Sequence, residues 1–326
     1  MNRFSRDMKC RICENDSKNK IFEIKEMMMG LKEAFTYFLC SKCGSLQIAD
    51  ITTDLKKYYP ENYYSFHNTT ERSSYLKLFL KKIRDEYTIY QKGKIGKFLF
   101  RIFLDTELLI LSGIPKDAFI LDVGCGNGRL LFRLHELGFR NARGIDPYIQ
   151  EPIMYSDNLL VNKKKLTDVG GKWDVILFNH SFEHVLDPVK EIILVEKLLS
   201  DSGVCIISTP IVDSFAWDYY KTDWVQIDAP RHQHIHSKKS ITILAEKANL
   251  LLNRIFYNST EFQFLGSEQY KREIPLNDAR SFFVNKNQSI FTKYDIEKFK
   301  RKSIELNELE MGDQAVFYLK KKENKR

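Results

Sequence analysis

The sequence predicts an α/β protein built on a doubly wound, mostly parallel sheet, with a small metal-stabilised ribbon in front of it. Three observations predict this. From residue 118 onward, short apolar runs of strand length alternate with stretches of helical spacing, the pattern of parallel strands joined by helical crossovers. The first run passes into a glycine-rich segment, Leu121-Asp-Val-Gly-Cys-Gly-Asn-Gly128, placed where a strand gives way to a helix. Two Cys-x-x-Cys pairs, Cys10/Cys13 and Cys40/Cys43, precede the whole.

The elements follow in order. Residues 1–51 form the cysteine-bearing segment, too short to build a core without help. Four thiolates at this spacing can wrap one tetrahedral zinc, a closed and therefore structural site. A redox pair would need a thioredoxin-like context that is absent here. Cys125 and Cys205 lie in apolar, strand-like surroundings. An aromatic stretch over 58–66 follows, expected to pack the ribbon onto its neighbour or to cover an acceptor. Residues 74–111 read as one or two helices, with Gly93 and Gly96 marking a break. Residues 52–117 are thus expected to be a linker and helical lid, and 118–326 the main domain.

Within that domain, strands are expected at 118–123, 142–145, 159–161, 173–178 and 204–208, with late strands at 250–257 and 315–319. Helices are expected at 129–137, at 188–199 with Asp187 as its cap, and at 237–248. Residues 258–287 show no period and read as an insertion or loop.

The chain has 326 residues, 43% hydrophobic and 29% charged, the composition of a globular enzyme. No apolar run reaches the length of a membrane span. Residues 1–9 are polar with no apolar segment behind them, so a cytoplasmic protein is expected. The net charge of +8 suits an anionic ligand. No Arg-rich stripe with interleaved aromatics accompanies it, which disfavours nucleic acid.

The glycine segment narrows the chemistry. Its sixth position is Arg129, so the dinucleotide fingerprint is not met; the pattern is D-x-G-x-G-x-G. Asp146, in Gly144-Ile-Asp-Pro147, ends the next strand about 20 residues on, where a carboxylate can hold a ribose. Together the two segments resemble the first cofactor motifs of the class I S-adenosylmethionine (SAM)-dependent methyltransferases. The resemblance covers residues 118–319 and implies a seven-stranded Rossmann-like sheet with SAM as cofactor. It implies that Gly124, Cys125 and Gly126 line the methionine moiety, that Asp122 supports its amino group, and that Asp146 holds the ribose. For the adenine it points to Asn162, with Asp168 as a rival.

Five of the seven histidines sit in two clusters. Asn179-His-Ser-Phe-Glu-His-Val185 follows the fourth strand, at the strand ends that line a ligand crevice. Its Glu183-His184 with Pro188 resembles the E-H-x-x-x-P element of the same enzymes, where Asn179 and His180 would border the cofactor. Related quinone-pathway O-methyltransferases carry E-x-x-E-H here and hold a divalent metal with it; this chain has His180 for the first carboxylate. Metal binding, acid–base work and plain packing all stay open for His180, Glu183 and His184.

The second cluster, Arg231-His-Gln-His-Ile-His236, together with Asp228-Ala-Pro230, resembles bacterial methyltransferases of surface-polysaccharide and sugar-nucleotide pathways. Zinc-bearing sugar C-methyltransferases have Y-H-E-H here. Gln233 cannot act as a carboxylate base, which disfavours carbanion-forming C-methylation and leaves O-methylation of a sugar or nucleotide-sugar. His234, then His184 or His232, would accept the proton, and Arg231 would meet an anionic group of the acceptor. Two alternatives remain: an RNA methyltransferase gripping RNA with the ribbon, and a non-catalytic scaffold of the same fold.

Overall fold

The computed structural model describes residues 8–51, 56–59, 75–103, 105, 107–156 and 159–322. In chain order the elements are β1 (Lys20–Lys25), β2 (Ala34–Leu39), β3 (Leu46–Ile48), α1 (Tyr75–Tyr90), α2 (Lys94–Ile102), β4 (Ile120–Val123) and α3 (Arg129–Glu136). Then come β5 (Ala142–Ile145), β6 (Ile153–Ser156), β7 (Leu159–Asn162), β8 (Trp173–Asn179), α4 (Pro188–Leu198) and β9 (Leu199–Pro210). The chain continues through α5 (Phe215–Tyr220), β10 (His234–Ile235), α6 (Lys238–Lys247), β11 (Leu250–Tyr257), α7 (Phe262–Tyr270), α8 (Lys293–Glu308) and β12 (Gln314–Lys321). Beyond Tyr59, the aromatic stretch lies outside the described residues.

The chain divides into two compact units. One comprises residues 61–181 and 194–208 and contains the strand order β9-β8-β4-β5-β7-β6. The pairs β4/β5, β4/β8, β5/β7 and β8/β9 are parallel. Every residue of β4 is buried, as a central parallel strand requires. From β4 the chain builds outward through β5 and β7, then returns to add β8 and β9 on the other side. The order therefore reverses between β4 and β8, and the loop after β4 opens at that switch point, where such sheets bind ligands. The edge strand β6 runs antiparallel to β7. Its four residues are half-buried or exposed, and its apolar run, Ile153-Met-Tyr155, is too short to announce a strand.

In the same unit α1 and α2 form a helical hairpin. Gly93 makes the break, at φ 99°. Gly96 does not: it lies inside α2, where a Cβ would stand 2.6 Å from the Cβ of Tyr87, so it lets two helices approach. The hairpin is tied to α3 by ions. Arg133 reaches Asp85 at 3.1 Å and Asp105 at 2.9 Å, and Arg84 reaches Asp105 at 2.9 Å.

The other unit comprises residues 1–60, 182–193 and 209–326. Its sheet has the order β1-β2-β3-β10, with all three pairs antiparallel. The ribbon strands thus take their fourth partner from the second histidine cluster, with His234 opposite Gln47. One core joins ribbon residues Tyr37 and Leu46 to Trp217, Trp224, Phe264 and Ile235. The late strands β11 and β12 pair antiparallel. Ser237 caps α6 by accepting from the Ser240 amide at 2.9 Å.

The expectation of an insertion or loop over 258–287 is corrected at α7, while residues 271–287 run as turns and loop. Gln263, Phe264, Leu265, Gly266, Ser267, Gln269 and Tyr270 are all buried. A helix covered on every side carries no polar face, so no period shows in its sequence.

Candidate functional site

The loop after β4 is shaped by its glycines. Gly124, Gly126 and Gly128 have φ of 72°, 56° and 78°, where L side chains are strained. A Cβ on Gly124 would stand 2.5 Å from that of Ser181, and one on Gly128 would stand 2.6 Å from Val161 Cγ2. Ser181 donates to the Val123 carbonyl at 2.6 Å, bracing the loop. The Cys125 sulfur lies close against Gly144 of β5, so this residue turns its side chain inward and offers its backbone.

Asp146 ends β5 and is buried. Its Oδ2 accepts from the Gly126 amide at 2.9 Å and its Oδ1 from the Tyr148 amide at 2.8 Å. The carboxylate thereby fixes the glycine loop at the end of β5. Asp122 is buried beneath the loop, and its Oδ1 has no hydrogen-bond partner among the described residues. Burial, then the nearby charges of Glu107 and Asp146, push its carboxyl up to about 8. A buried acid among acids is a place for a cation, and the methionine moiety of SAM is cationic, so these residues fit the cofactor.

Around this loop, Asn162 ends β7 half-buried, its carbonyl accepting from the Asp146 amide at 3.0 Å. The rival Asp168 is exposed and accepts from the Lys165 amide and the Thr167 hydroxyl, each at 3.1 Å, capping its own turn. Asn179 is half-buried at the end of β8. His180 is exposed at φ 54°, its amide donating to the Ser208 carbonyl at 2.9 Å.

The other unit gathers a second group. Glu183 and His184 lie on a short 3-10 turn before α4. Asp187 Oδ1 accepts from the Lys190 amide at 3.0 Å, the expected cap. Glu183 is buried, and its Oε2 accepts from the Thr209 hydroxyl at 3.0 Å. Its Oε1 stands 3.9 Å from His232 Nε2. His232 Nδ1 is 2.8 Å from the Gln226 carbonyl, and His184 Nδ1 is 2.9 Å from the Arg231 carbonyl. A carbonyl only accepts, so each Nδ1 carries the proton and each Nε2 keeps the lone pair. The two rings meet edge to face at 4.8 Å. Burial, then the neighbouring His184, push His232 down to about 4, which keeps it neutral near pH 7. One ligand atom from each of Glu183, His184 and His232 lies within 4.8 Å of the others. The trio therefore has the composition of a proton relay and also of a cation site.

Three sequence expectations are redistributed here. His180 is not in the trio; His232 takes that place, and no spacing rule links it to Glu183 across 48 intervening residues. His234, expected first as proton acceptor, is fully buried in the ribbon sheet with Nε2 3.4 Å from the Leu186 carbonyl. Arg231, expected to meet an acceptor anion, is fully buried and spent inside the fold. Its guanidinium donates to Asp228 at 2.8 Å, to Glu26 at 3.1 Å and to the Tyr58 carbonyl at 3.1 Å. Glu107 and Thr209 were not singled out by sequence, since neither sits in a motif; Asp228 was visible only as part of Asp-Ala-Pro-Arg.

The four ribbon cysteines converge. Cys10 and Cys43 sulfurs are 3.5 Å apart, as are those of Cys13 and Cys40, close to the roughly 3.8 Å edge of a zinc–thiolate tetrahedron. Amides of Ile12 and Cys13 point at Cys10 Sγ, and that of Cys43 at Cys40 Sγ. The four thus fit one metal ion.

The switch-point sheet with its glycine loop and acidic strand end defines a nucleoside-cofactor domain of the SAM-dependent methyltransferase class. Residues 95–252 match the family model described as a methyltransferase domain. A tRNA U34 carboxymethyltransferase of Campylobacter fetus subsp. fetus is 28% identical over 185 residues, 51% of this chain and 64% of that protein. A ubiquinone biosynthesis O-methyltransferase of Cereibacter sphaeroides is 28% identical over 130 residues, 36% and 53% of the two chains. The chain thus spans between about half and two thirds of these two relatives. Among solved structures, a cyclopropane synthase of Mycobacterium tuberculosis is 17% identical over 73% of this chain and 97% of its own, with a TM-score of 0.41. The magnesium protoporphyrin IX methyltransferase of Synechocystis PCC 6803 is 16% identical over 64% and 93%, with a TM-score of 0.39. No helix among the described residues is long and apolar enough to cross a membrane.

Proposed function

We propose that this chain transfers a methyl group from SAM to a hydroxyl oxygen of a sugar, nucleotide-sugar or surface-polysaccharide precursor. One observation carries the methyl-transfer reading: Asp146 clamps the glycine loop beside the buried acid Asp122, whose Oδ1 has no hydrogen-bond partner among the described residues. Gly124, Cys125 and Gly126 would lie along the methionine moiety through their backbone, Asp146 would accept from the ribose, and Asn162 would face the adenine. Asn179 and His180 would border that pocket. SAM supplies an activated methyl on a sulfonium, so the protein's part is alignment, exclusion of water and removal of one proton.

The proton acceptor in this reading is His232 Nε2, with His184 as its alternate and Glu183 to balance the charge. Those two nitrogens stand beside Glu183 in the group, whereas His234 is fully buried within the ribbon sheet. Gln233 in place of a carboxylate supports O- over C-methylation. The four ribbon cysteines would hold a structural zinc, which fixes β3 and thereby β10 beside the histidines.

The test has two stages. Calorimetric titration with SAM and S-adenosylhomocysteine, with D146A as control, addresses the cofactor. Radiolabelled methyl transfer to a panel of nucleotide-linked sugars, with H232A and E183Q as controls, addresses the acceptor. A folded protein that binds neither cofactor form overturns the reading and promotes the scaffold alternative.

A second reading rests on the relative named tRNA U34 carboxymethyltransferase and on the net charge of +8, which weigh against the disfavouring of nucleic acid. In it the acceptor is an RNA. Saturable, steeply salt-dependent tRNA binding, together with no transfer to any sugar, would decide for it.

A further inference from the structure

We propose that the α1–α2 hairpin is a docking surface for an anionic lipid bilayer, on which the protein lies without spanning it. On α2, Ile95, Phe98 and Ile102 recur at i, i+3 and i+7 and so form one stripe. All three are more than half exposed, Ile95 at 65% and Phe98 at 63%. Lys94, Lys97 and Arg101 repeat the same spacing one residue earlier, forming a basic stripe beside the apolar one. The side of α2 that packs, through Gly96 and Leu99, lies across the helix from the basic stripe.

The start of α1 continues this character. A Cβ on Gly96 would stand 2.9 Å from the Ile83 carbonyl oxygen, so the start of α2 is level with the middle of α1, and the rest of α2 runs back along the first turns of α1. Those turns expose Leu76, Leu78 and Phe79 with Lys77, Lys81 and Lys82 among them. Residues 75–82 and 94–103 together carry six basic residues and no acidic one. The acids of the hairpin are engaged elsewhere: Asp85 is buried against Arg84 and Arg133, and Glu86 pairs with Lys116.

Leaving such aromatic and aliphatic side chains in water is unfavourable, and patches of this kind mark interaction sites. The charge pattern selects the partner. Protein–protein interface cores are depleted in lysine, whereas here lysines alternate with the apolar residues turn by turn. That is the composition of an interfacial amphipathic helix, whose apolar face enters a bilayer by about 5–10 Å while lysines snorkel to anionic headgroups. At 16 and 9 residues, with a lysine in nearly every turn, neither helix can span.

The test is flotation of the full chain with vesicles of phosphatidylcholine alone or with about a third phosphatidylglycerol. Low and high salt are compared, alongside I95E/F98E, whose exposed positions spare the core, and K94E/K97E/R101E. Circular dichroism checks each variant's fold. We expect binding to the anionic vesicles at least tenfold stronger than to the neutral ones, loss in I95E/F98E, and weakening by salt and in the charge-reversed variant. Absence of binding to anionic vesicles, or unchanged binding by I95E/F98E, overturns the proposal. A dimer by light scattering that I95E/F98E dissociates, with no vesicle binding, assigns the surface to a second copy instead.

Discussion

The glycine loop and the second histidine cluster were equally conspicuous as sequence motifs, yet folding treats them differently. Around the loop, the residues that stand out in the sequence also meet in space. Asp146 reaches Gly126 across one strand and one helix, and both lie where β4 and β5 run side by side. Around the cluster, adjacent residues part company. His232 turns to Glu183, His234 goes into the ribbon sheet, and Arg231 between Glu26 and Asp228 becomes internal wiring. A motif at a tight turn is read by the backbone it needs, and the backbone is local. A run of alternating polar residues is read by what surrounds it, and that is tertiary.

The largest effect that would break this comparison is removal of metal from the ribbon. Structural zinc sites supply on the order of 10 kcal/mol to folding, and β10 takes its pairing from β3. Chelation, or C10S, is expected to abolish amide protection in residues 20–48 and 232–236, followed by hydrogen exchange, while residues 120–146 keep theirs. Cobalt substitution should give the absorption of four thiolates. Persistence of the ribbon strands without metal would count against a structural ion.

Next in size is the trio itself. H232A and E183Q are expected to lower methyl transfer by about 100- to 10,000-fold, the usual reach of a general base and its partner, with cofactor affinity within a few-fold of the parent. D146A should do the reverse, weakening SAM by about 100-fold through two lost charge-assisted contacts. Should H234A equal H232A in turnover while keeping its stability, the proton acceptor belongs to the ribbon sheet after all and the contrast between the regions collapses.

How much was legible in the sequence follows the same division. The parallel strands β4, β5, β7, β8 and β9 showed because buried strands read as short apolar runs; β6, an edge strand, offers only the three residues Ile153-Met-Tyr155 before Ser156, too short a run to stand out. The helix α6 announced itself through the Ser237 cap, and α7 hid because its polar Gln263, Ser267 and Gln269 are buried alongside Phe264 and Leu265, so apolar and polar residues do not separate onto two faces. Gly93 and Gly96 look alike in sequence, but one turns the chain and the other admits Tyr87. The pairing of His232 with Glu183 needed the fold, since it depends on the ribbon holding His234 on the other side.

The smallest expected effect sharpens the loop's half of the comparison. Asp122 has a folded-state value of about 8, against 3.8 for the free group. Below about pH 3.8 both folded and unfolded chains hold its proton, and its burial costs nothing extra. Between 3.8 and 8 the unfolded chain releases a proton that the folded chain keeps, so stability falls as pH rises, and the loss levels off above about 8. D122N has no proton to release. Its melting temperature should therefore exceed the parent's by more at pH 8 than at pH 5, measured by thermal melts without cofactor. The same change removes the acid that a cationic moiety would neutralise, so SAM and S-adenosylhomocysteine, which share the amino group, should both bind about tenfold more weakly, one charge-assisted contact's worth. A variant gaining stability while losing cofactor is the signature of a site strained for binding. Equal pH dependence in the two proteins would mean that Asp122 is satisfied in the free protein, and that the loop is shaped for its own sake.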